Sequence, residues 1–299
     1  APVSSIPDTN ACPGSSITLP IRVSNFANIG SLGLKIQYNT ENLTFTGWSN
    51  ASGFPGLSLN SSQPGMLVLG GFTFTTGGFT LPNNSVFINI TFFYTGGTAP
   101  VTWFENGPSC EWTGPAFSFP VLNDLPTNSY YINGGISPLL VPGFSSSNLL
   151  PFLNDTVTLN DESVGASSWL WNISPTGYSY VNGTNEFSQN PQIVFTSNGS
   201  YSVSQTVTHG SCVQTLEKVD YIHAGTPGLW TGQYSSDWFE AGNWHNWVIP
   251  DQDVSVVIPS FATHWPEFEG NFTLGSNCHN LTIQGANGIM TVTGDFILP

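Results

Sequence analysis

Residues that could perform carbohydrate chemistry are concentrated in one stretch, GLWTGQYSSDWFEAGNWHNW at 228–247. It contains four tryptophans, with Asp237 and Glu240 three positions apart, and Glu267 and Glu269 form a second acidic pair. A glycosidase requires two carboxylates roughly 5–10 Å apart across a cleft. Nothing in the spacing places either pair across a cleft. We therefore interpret these acids as solvated or capping carboxylates and predict no catalytic residue.

Metal-ligating residues are scattered along the sequence. The HExxH and CxxC…HxxxH spacings of zinc sites do not occur, and the adjacent Cys278 and His279 would point to opposite faces of a strand. Oxygen-rich segments at 154–156, 160–162 and 250–253 are compatible with a structural calcium ion, although they lack the twelve-residue EF-hand pattern. Nucleophile elbows, Walker loops and dinucleotide fingerprints are also missing. We predict a non-enzyme with no metal site and no cofactor, and structural calcium is the alternative left open.

Glycosylation has the most support among the modifications that the sequence suggests. Asn-x-Ser/Thr sequons are candidate N-glycosylation sites, and chance alone would supply about half of them in so polar a chain. They begin at Asn42, Asn50, Asn60, Asn83, Asn89, Asn154, Asn172, Asn182, Asn198, Asn271 and Asn280.

The composition excludes several classes of partner. The 299 residues include three Lys and Arg against 18 Asp and Glu, which gives a net charge of −15. A nucleic acid partner is excluded because phosphate binding needs many basic side chains, and an anionic membrane surface would repel the chain. No apolar run is long enough for a membrane span. Because only 7% of residues are charged, Ser, Thr, Asn and Gly must form the exterior, as is typical of extracellular or cell-surface β proteins.

Period-two alternation of apolar and polar residues occurs throughout the chain. ITLPIRV at 17–23, LGLKIQY at 32–38 and VFINITF at 86–92 each place apolar side chains on one face, as half-buried strands do. The sequence therefore predicts an all-β protein of β-sandwiches. Breaks at SPLLVPGFSSSNLL and GTPG divide it into three predicted domains, at 1–135, 136–224 and 225–299.

The first predicted domain contains the stretch ACPGSSITLPIRVSNFANIGSLGLKIQYNTENLTFTGW and closes with YYINGGI. On these residues it resembles the cohesin-like β-sandwich modules of secreted Bacteroidetes proteins. It implies either a spacer or adhesive module, or a dockerin-binding module that uses a flat sheet face, and it assigns no residue to that face. Within this domain we predict a disulfide between Cys12 and Cys110, with two free thiols as the alternative. Closing so long a loop would stabilise the fold by about 4–5 kcal/mol.

The second predicted domain contains the Trp169–Trp171 strand, then NPQIVF at 190–195, GSYSV at 199–203 and KVDYI at 218–222. In these features it resembles PKD-type immunoglobulin-like modules. Such modules act as spacers or stalks. We interpret the tryptophans as core residues, and a sugar platform is the alternative.

The third predicted domain opens with a spaced set of polar and aromatic residues, Trp230, Asp237, Trp238, Asn243 and Trp244, followed by the VVIP strand at 256–259. This pattern resembles the Trp-rich cap that precedes parallel β-helices in large Bacteroidetes surface proteins. Large rings would cover the apolar end of the solenoid. NCHNLTI and GIMTVTGDF then resemble the first rungs. Because about three repeats are needed for stability, we expect this chain to be the start of a longer polypeptide, or the segment that follows it to be unordered.

Taken together, the resemblances indicate a type IX secretion substrate, similar to gliding-motility adhesins. Its partners would be the export machinery, the cell surface, and glycans or other surface proteins. In such a host the Asn sequons would be mostly inert, whereas Thr156, in DTV, matches the O-glycosylation pattern of Bacteroidetes. We expect a non-enzymatic secreted adhesin, stalk or filament component. The alternatives are an accessory region of a polysaccharide-active enzyme and a cohesin-type scaffold that binds a dockerin.

Overall fold

The computed structural model describes residues 1–104, 109–115, 120–259, 262–284 and 288–298. The chain divides into two compact units, Ala1–Leu140 and Val141–Pro299. The regular structure that is described is almost entirely β, apart from short 3₁₀ helices, so the all-β prediction is confirmed. The division into three domains stays a prediction.

The first unit is a β-sandwich. Its elements are β1 (Val3–Ser5), β2 (Asp8–Ala11), β3 (Ser15–Ser24), β4 (Ser31–Tyr38), β5 (Leu43–Asn50), β6 (Ser58–Asn60), β7 (Met66–Phe72), β8 (Ser85–Tyr94), β9 (Ala99–Trp103), β10 (Glu111–Thr113), a 3₁₀ helix at Thr127–Ser129, β11 (Tyr131–Ile132) and β12 (Gly134–Pro138). One sheet has the order β11-β1-β3-β8-β5. The other has the order β2-β12-β9-β4-β7-β6, and β10 also pairs with β4.

The alternation of apolar and polar side chains along the strands places the apolar ones in the core between these sheets. Leu19 and Ile21 of β3 point inward from one sheet, and Leu34 and Ile36 of β4 point inward from the other. Each of the four side chains is at most 1% exposed, so one face of each strand is removed from water. Burial of this kind contributes about 1.5–3 kcal/mol for each large apolar side chain.

The predicted disulfide between Cys12 and Cys110 is wrong. Cys12 is disulfide-bonded, as is Cys212, but Cys110 and Cys278 are buried thiols. Cys12 follows β2, which lies at one edge of its sheet, whereas Cys110 precedes β10, which pairs with β4. The intervening strands separate β2 from this position by about 10 Å or more, beyond the Cα separation that a disulfide allows.

The second unit begins with another sandwich. Its strands are β13 (Phe144–Ser146), β14 (Thr156–Asp161), β15 (Ser168–Ser174), β16 (Tyr178–Tyr180), β17 (Gln192–Phe195), β18 (Gly199–His209) and β19 (Cys212–Ala224). A sheet of order β13-β14-β17-β16 faces a sheet of order β15-β18-β19. Trp171 is buried between them and Trp169 packs against the same core, as the core interpretation of this pair expects.

The remainder of the second unit contains short parallel strand pairs. Its elements are 3₁₀ helices at Ala241–Asn243 and His245–Trp247, then β20 (Val256–Ile258), β21 (Glu267–Phe268), β22 (Phe272–Thr273), β23 (Leu281–Ile283), β24 (Thr291–Val292) and β25 (Phe296–Ile297). β20 pairs with β23, β21 with β24, and β22 with β25, all in parallel. These are separate two-stranded pairs, and a third apolar core lies beside them.

Candidate partner-binding face

The outer surface of the sheet that contains β4 and β7 is the candidate functional site. Along β7, Leu67 and Leu69 point into the core, so Val68, Gly70 and Phe72 face outward. The same alternation turns the neighbours of Leu34 in β4 outward. We call this surface the binding face; its residues are Gly33, Lys35, Val68, Gly70, Phe72 and Glu111.

A shallow recess lies at the centre of the binding face. Gly33 forms part of its lining, and a Cβ atom built on Gly33 would meet nothing within 4 Å. Lys35, Val68 and Glu111 line it, and its volume is about 260 Å³. The recess therefore combines an apolar wall with one cationic and one anionic group, and it is large enough to receive a side chain from a partner.

An exposed aromatic pair lies beside the recess. Phe72, at the end of β7, is 50% exposed, and Phe74, in the following loop, is 74% exposed. Their rings are edge to face, with centroids 5.1 Å apart, so they contact each other without being covered. Contiguous exposed apolar surface of this kind marks interaction sites in soluble proteins.

The outer face of the opposite sheet has a different character. Thr18 and Thr91 form a side-chain hydrogen bond of 3.0 Å across β3 and β8, and Arg22 donates to the backbone oxygen of Asn84 at 2.7 Å. Its polar groups thus bond to one another, although Phe93 is 39% exposed there. This contrast between the two faces favours the β4–β7 sheet as the binding side.

The tryptophans of the predicted cap lie together in the third core. Trp230, Trp238 and Trp244 are each at most 1% exposed, and the Trp238 and Trp244 ring centroids are 4.7 Å apart. Trp244 Nε1 donates to the Trp238 backbone oxygen at 2.8 Å, and Trp230 Nε1 donates to the His264 oxygen at 2.8 Å. The rings therefore do not line an open groove. Their role as the cap of a β-helix stays a prediction.

The polar residues of the same motif hold turns. The fully buried Asn243 accepts hydrogen bonds from the backbone nitrogens of Tyr234 and Ser235, both at 2.9 Å. Its amide donates to Ser235 Oγ at 3.0 Å and to the Asp237 backbone oxygen at 2.8 Å. The Asp237 carboxylate accepts from Phe239 N and the Glu240 carboxylate from Gly242 N. Both acids thus stabilise local backbone, as the capping interpretation expects.

The segments compatible with calcium use their oxygens in hydrogen bonds. Asp161 Oδ1 accepts from the Ser163 hydroxyl at 2.6 Å and from Gln205 Nε2 at 2.7 Å. Burial raises the pKa of Asp161, but hydrogen bonds from Ser163, Gln189 and Gln205 outweigh that effect and hold the pKa below its usual value. Within the residues that the structure describes, no three His, Cys, Asp or Glu side chains form a metal-binding group.

The candidate glycosylation sites are all at least partly accessible to solvent. Thr156 is exposed at the start of β14, and each sequon asparagine is exposed or half-buried. Several amides already donate within the fold, for example Asn42 Nδ2 to the Gly96 oxygen and Asn50 Nδ2 to the Phe54 oxygen. Modification of any of these residues stays a prediction.

Sequence reasoning missed the residues of the binding face. Phe72 and Phe74 lie in GGFTFTTGG, a glycine-rich stretch among strands whose sequence predicts a turn-bounded hairpin. In the structure β7 instead ends at Phe72 and pairs with β4 and β6. The available signal was the alternation of Val68, Gly70 and Phe72, which places two apolar side chains on the solvent side of a strand.

Comparisons with known proteins gave one matching family and several similar solved structures. The family model described as the cohesin domain matches residues 2–104. The chain is similar to a chain of the Coh-OlpA–Doc918 cohesin–dockerin complex of Clostridium thermocellum, with 15% identity, a TM-score of 0.39, and 46% of this chain and 99% of that chain covered. It is also similar to the non-cellulosomal cohesin of the archaeon Archaeoglobus fulgidus, with 16% identity, a TM-score of 0.36, and coverages of 45% and 88%. No curated protein matches. The chain therefore contains a cohesin-like module.

No helix in the described part of the chain combines the length and the apolar character that a membrane span requires.

Proposed function

We propose that the cohesin-like module binds a partner protein through its binding face, and that the chain is a non-enzymatic secreted or cell-surface protein. The observation that carries this proposal is the exposed Phe72–Phe74 pair beside the Gly33 recess. Aromatic side chains next to a small pocket are the features that supply most of the affinity in protein interfaces.

The proposed partner is a dockerin-type module. Dockerins are the partners named in the cohesin complex to which this chain is similar. Lys35 and Glu111 at the recess would add charge specificity, because a partner must present complementary charges to both.

The rest of the chain would serve as a stalk of an adhesin or filament component. The second sandwich would be a PKD-type spacer. The Trp-rich segment would be the cap of a parallel β-helix, since Leu229 bridges in parallel to Val257 and Asp237 to Glu267, beside strands that themselves pair in parallel. Export by the type IX route and contact with surface glycans belong to the same proposal.

A matched pair of substitutions tests the binding face. Phe72→Asp should weaken the binding of the dockerin that binds the wild type, within a panel of dockerins, at least about tenfold. The partner would bury the new carboxylate in the interface and remove its hydration. Phe93→Asp, on the opposite outer face, should leave binding unchanged. Surface-plasmon measurements on the full chain give both values. Equal binding by the wild type and Phe72→Asp, or failure of every dockerin to bind, would overturn the proposal.

A further inference from the structure

A groove opens at one edge of the second sandwich. β15 is the edge strand of one sheet and β16 is the edge strand of the other. The groove there has a volume of about 500 Å³, and it is lined by Leu170, Trp171, Asn172, Tyr178, Tyr180 and Glu186. Leu170 is 43% exposed, so apolar surface remains open to solvent at this edge.

Two tyrosine rings form a corner in the groove. The Tyr178 and Tyr180 rings are inclined at 85°, with centroids 5.8 Å apart. A flat sugar ring could stack on only one ring of such a pair. A compact, nearly spherical group can contact both rings at once, and ring faces attract cations.

Glu186 gives the groove its charge. Its backbone oxygen accepts from Trp171 N at 2.8 Å, which anchors this segment to β15. Burial raises the pKa of the Tyr180 hydroxyl, and Tyr178 and Glu186 raise it further. The Tyr180 hydroxyl therefore stays neutral at physiological pH. Since none of the lining residues is basic, the groove carries the single negative charge of Glu186.

We propose that this groove binds an organic ammonium group, held by the faces of Tyr178 and Tyr180 and by the carboxylate of Glu186. Charge complementarity supports this choice of ligand, because the groove is anionic and the whole chain carries a net charge of −15, which attracts cations. The site lies outside the cohesin-like module and is independent of the partner-binding function proposed above.

Choline and its uncharged isostere 3,3-dimethylbutan-1-ol provide the test, because they have the same shape. Saturation-transfer NMR on the full chain should give a Kd on the order of 1 mM for choline and at least about tenfold weaker binding for the isostere. Raising the salt concentration should weaken choline binding, since the contribution of Glu186 is electrostatic.

Variants assign the binding to the groove. Tyr178→Leu and Glu186→Gln should each weaken choline binding about threefold or more. Tyr234→Leu, which alters a tyrosine elsewhere that is 55% exposed, should leave it unchanged. Far-UV circular dichroism checks the fold of each variant, and Glu186→Gln, which preserves size, decides the matter if Tyr178→Leu does not fold.

Three results would overturn the proposal. They are equal affinity for choline and the isostere, unchanged choline affinity in Glu186→Gln, and binding of a neutral disaccharide in place of choline. None of them bears on whether a dockerin binds the first unit, so the two proposals fail separately.

Discussion

Asn243 shows how one buried polar residue can organise a segment. All four of its side-chain hydrogen bonds go to residues between Tyr234 and Asp237, and they fix the turn that brings Trp238 beside Trp244. A carboxylate has the same shape but cannot donate to Ser235 Oγ or to the Asp237 oxygen.

Asn243→Asp should therefore destabilise the third core by about 3 kcal/mol at neutral pH, because it buries a charge against a carbonyl oxygen. Chemical denaturation followed by tryptophan fluorescence measures the change. The loss should shrink at low pH, where the carboxyl is protonated and can donate. A loss independent of pH would contradict this explanation.

Trp238 is the second residue whose replacement gives a sharp expectation. Its ring packs against Trp244, Phe268 and Phe272, and it is 1% exposed. Trp238→Ala should lower the free energy of unfolding by about 3–5 kcal/mol, since it leaves a large cavity. The adjacent Phe239, which is 52% exposed, is the control: Phe239→Ala should cost much less. Similar losses in the two variants would mean that the cluster is not a packed core.

The sequence predicted some residues well and others not at all, for a physical reason. The tryptophans of the third core and the Asp and Asn that hold the neighbouring turns are close in sequence, so their pattern shows that they act together. Whether Cys110 can form a disulfide with Cys12 depends on the strand order, because β12 and β9 lie between β2, which precedes Cys12, and β4. The alternation of Val68, Gly70 and Phe72 is local, but the sheet in which these residues lie depends on pairing with β4, such as that of Phe72 with the distant Ser31.

At the scale of elements, a pair of histidines marks where β19 meets the 3₁₀ helix at His245–Trp247. His223 accepts from or donates to Ser200 Oγ at 2.8 Å, and its ring centroid lies 5.1 Å from that of Trp247. Burial lowers the pKa of both histidines. The charge of Asp220 partly offsets this effect by raising the pKa of His223. For His245, the neighbouring His223 lowers the pKa further, and a hydrogen bond with the Ala224 backbone raises it.

These lowered pKa values predict how stability depends on pH. In the unfolded chain, histidine side chains titrate near pH 6.5. Because the pKa values of His223 and His245 are lower in the folded state, folding favours their neutral imidazoles. The contribution of these two histidines to the free energy of unfolding should be fully present above about pH 6.5. It should be lost as the pH drops toward their lower pKa values in the folded state. We expect the melting temperature to be a few degrees lower at pH 5 than at pH 7.5. His245→Asn should reduce this difference, and the exposed hairpin variant His209→Asn should not; an unchanged difference in His245→Asn would refute the assignment.

Long strands and short strands differed in how well they could be predicted. β3, β4 and β8 have eight to ten residues, enough for an alternation to be recognised. β21, β22, β24 and β25 have two residues each, and periodicity carries no signal over that length. They exist because each pairs with a distant partner, and β21 and β22 bury the rings of Phe268 and Phe272.

For the whole molecule, the division at Leu140 and Val141 sets the limits of the cohesin-like module. The family model ends at residue 104, yet β11 pairs with β1, and β12 pairs with β2 and β9. Both sheets therefore need strands from beyond the matched region.

A fragment of residues 1–140 carrying Cys12→Ser should fold alone, because it contains both sheets and their core. Residues 1–104 should not fold, since β1 and β2 would lose their parallel partners. Circular dichroism and thermal melting distinguish the two fragments. Cooperative unfolding of the shorter one would show that β10 to β12 are dispensable.

The parallel pairs at the end of the second unit share nearly the same sequence separation. Val256 pairs with Leu281, Glu267 with Thr291 and Phe272 with Phe296, so the chain returns to its partner strand after 24 or 25 residues. Paired strands lie about 4.8 Å apart, which is about 0.2 Å per residue of intervening chain, against about 3.3 Å per residue in an extended strand. These segments therefore give up reach in exchange for backbone hydrogen bonds between the paired strands, which an extended chain of the same length would lack.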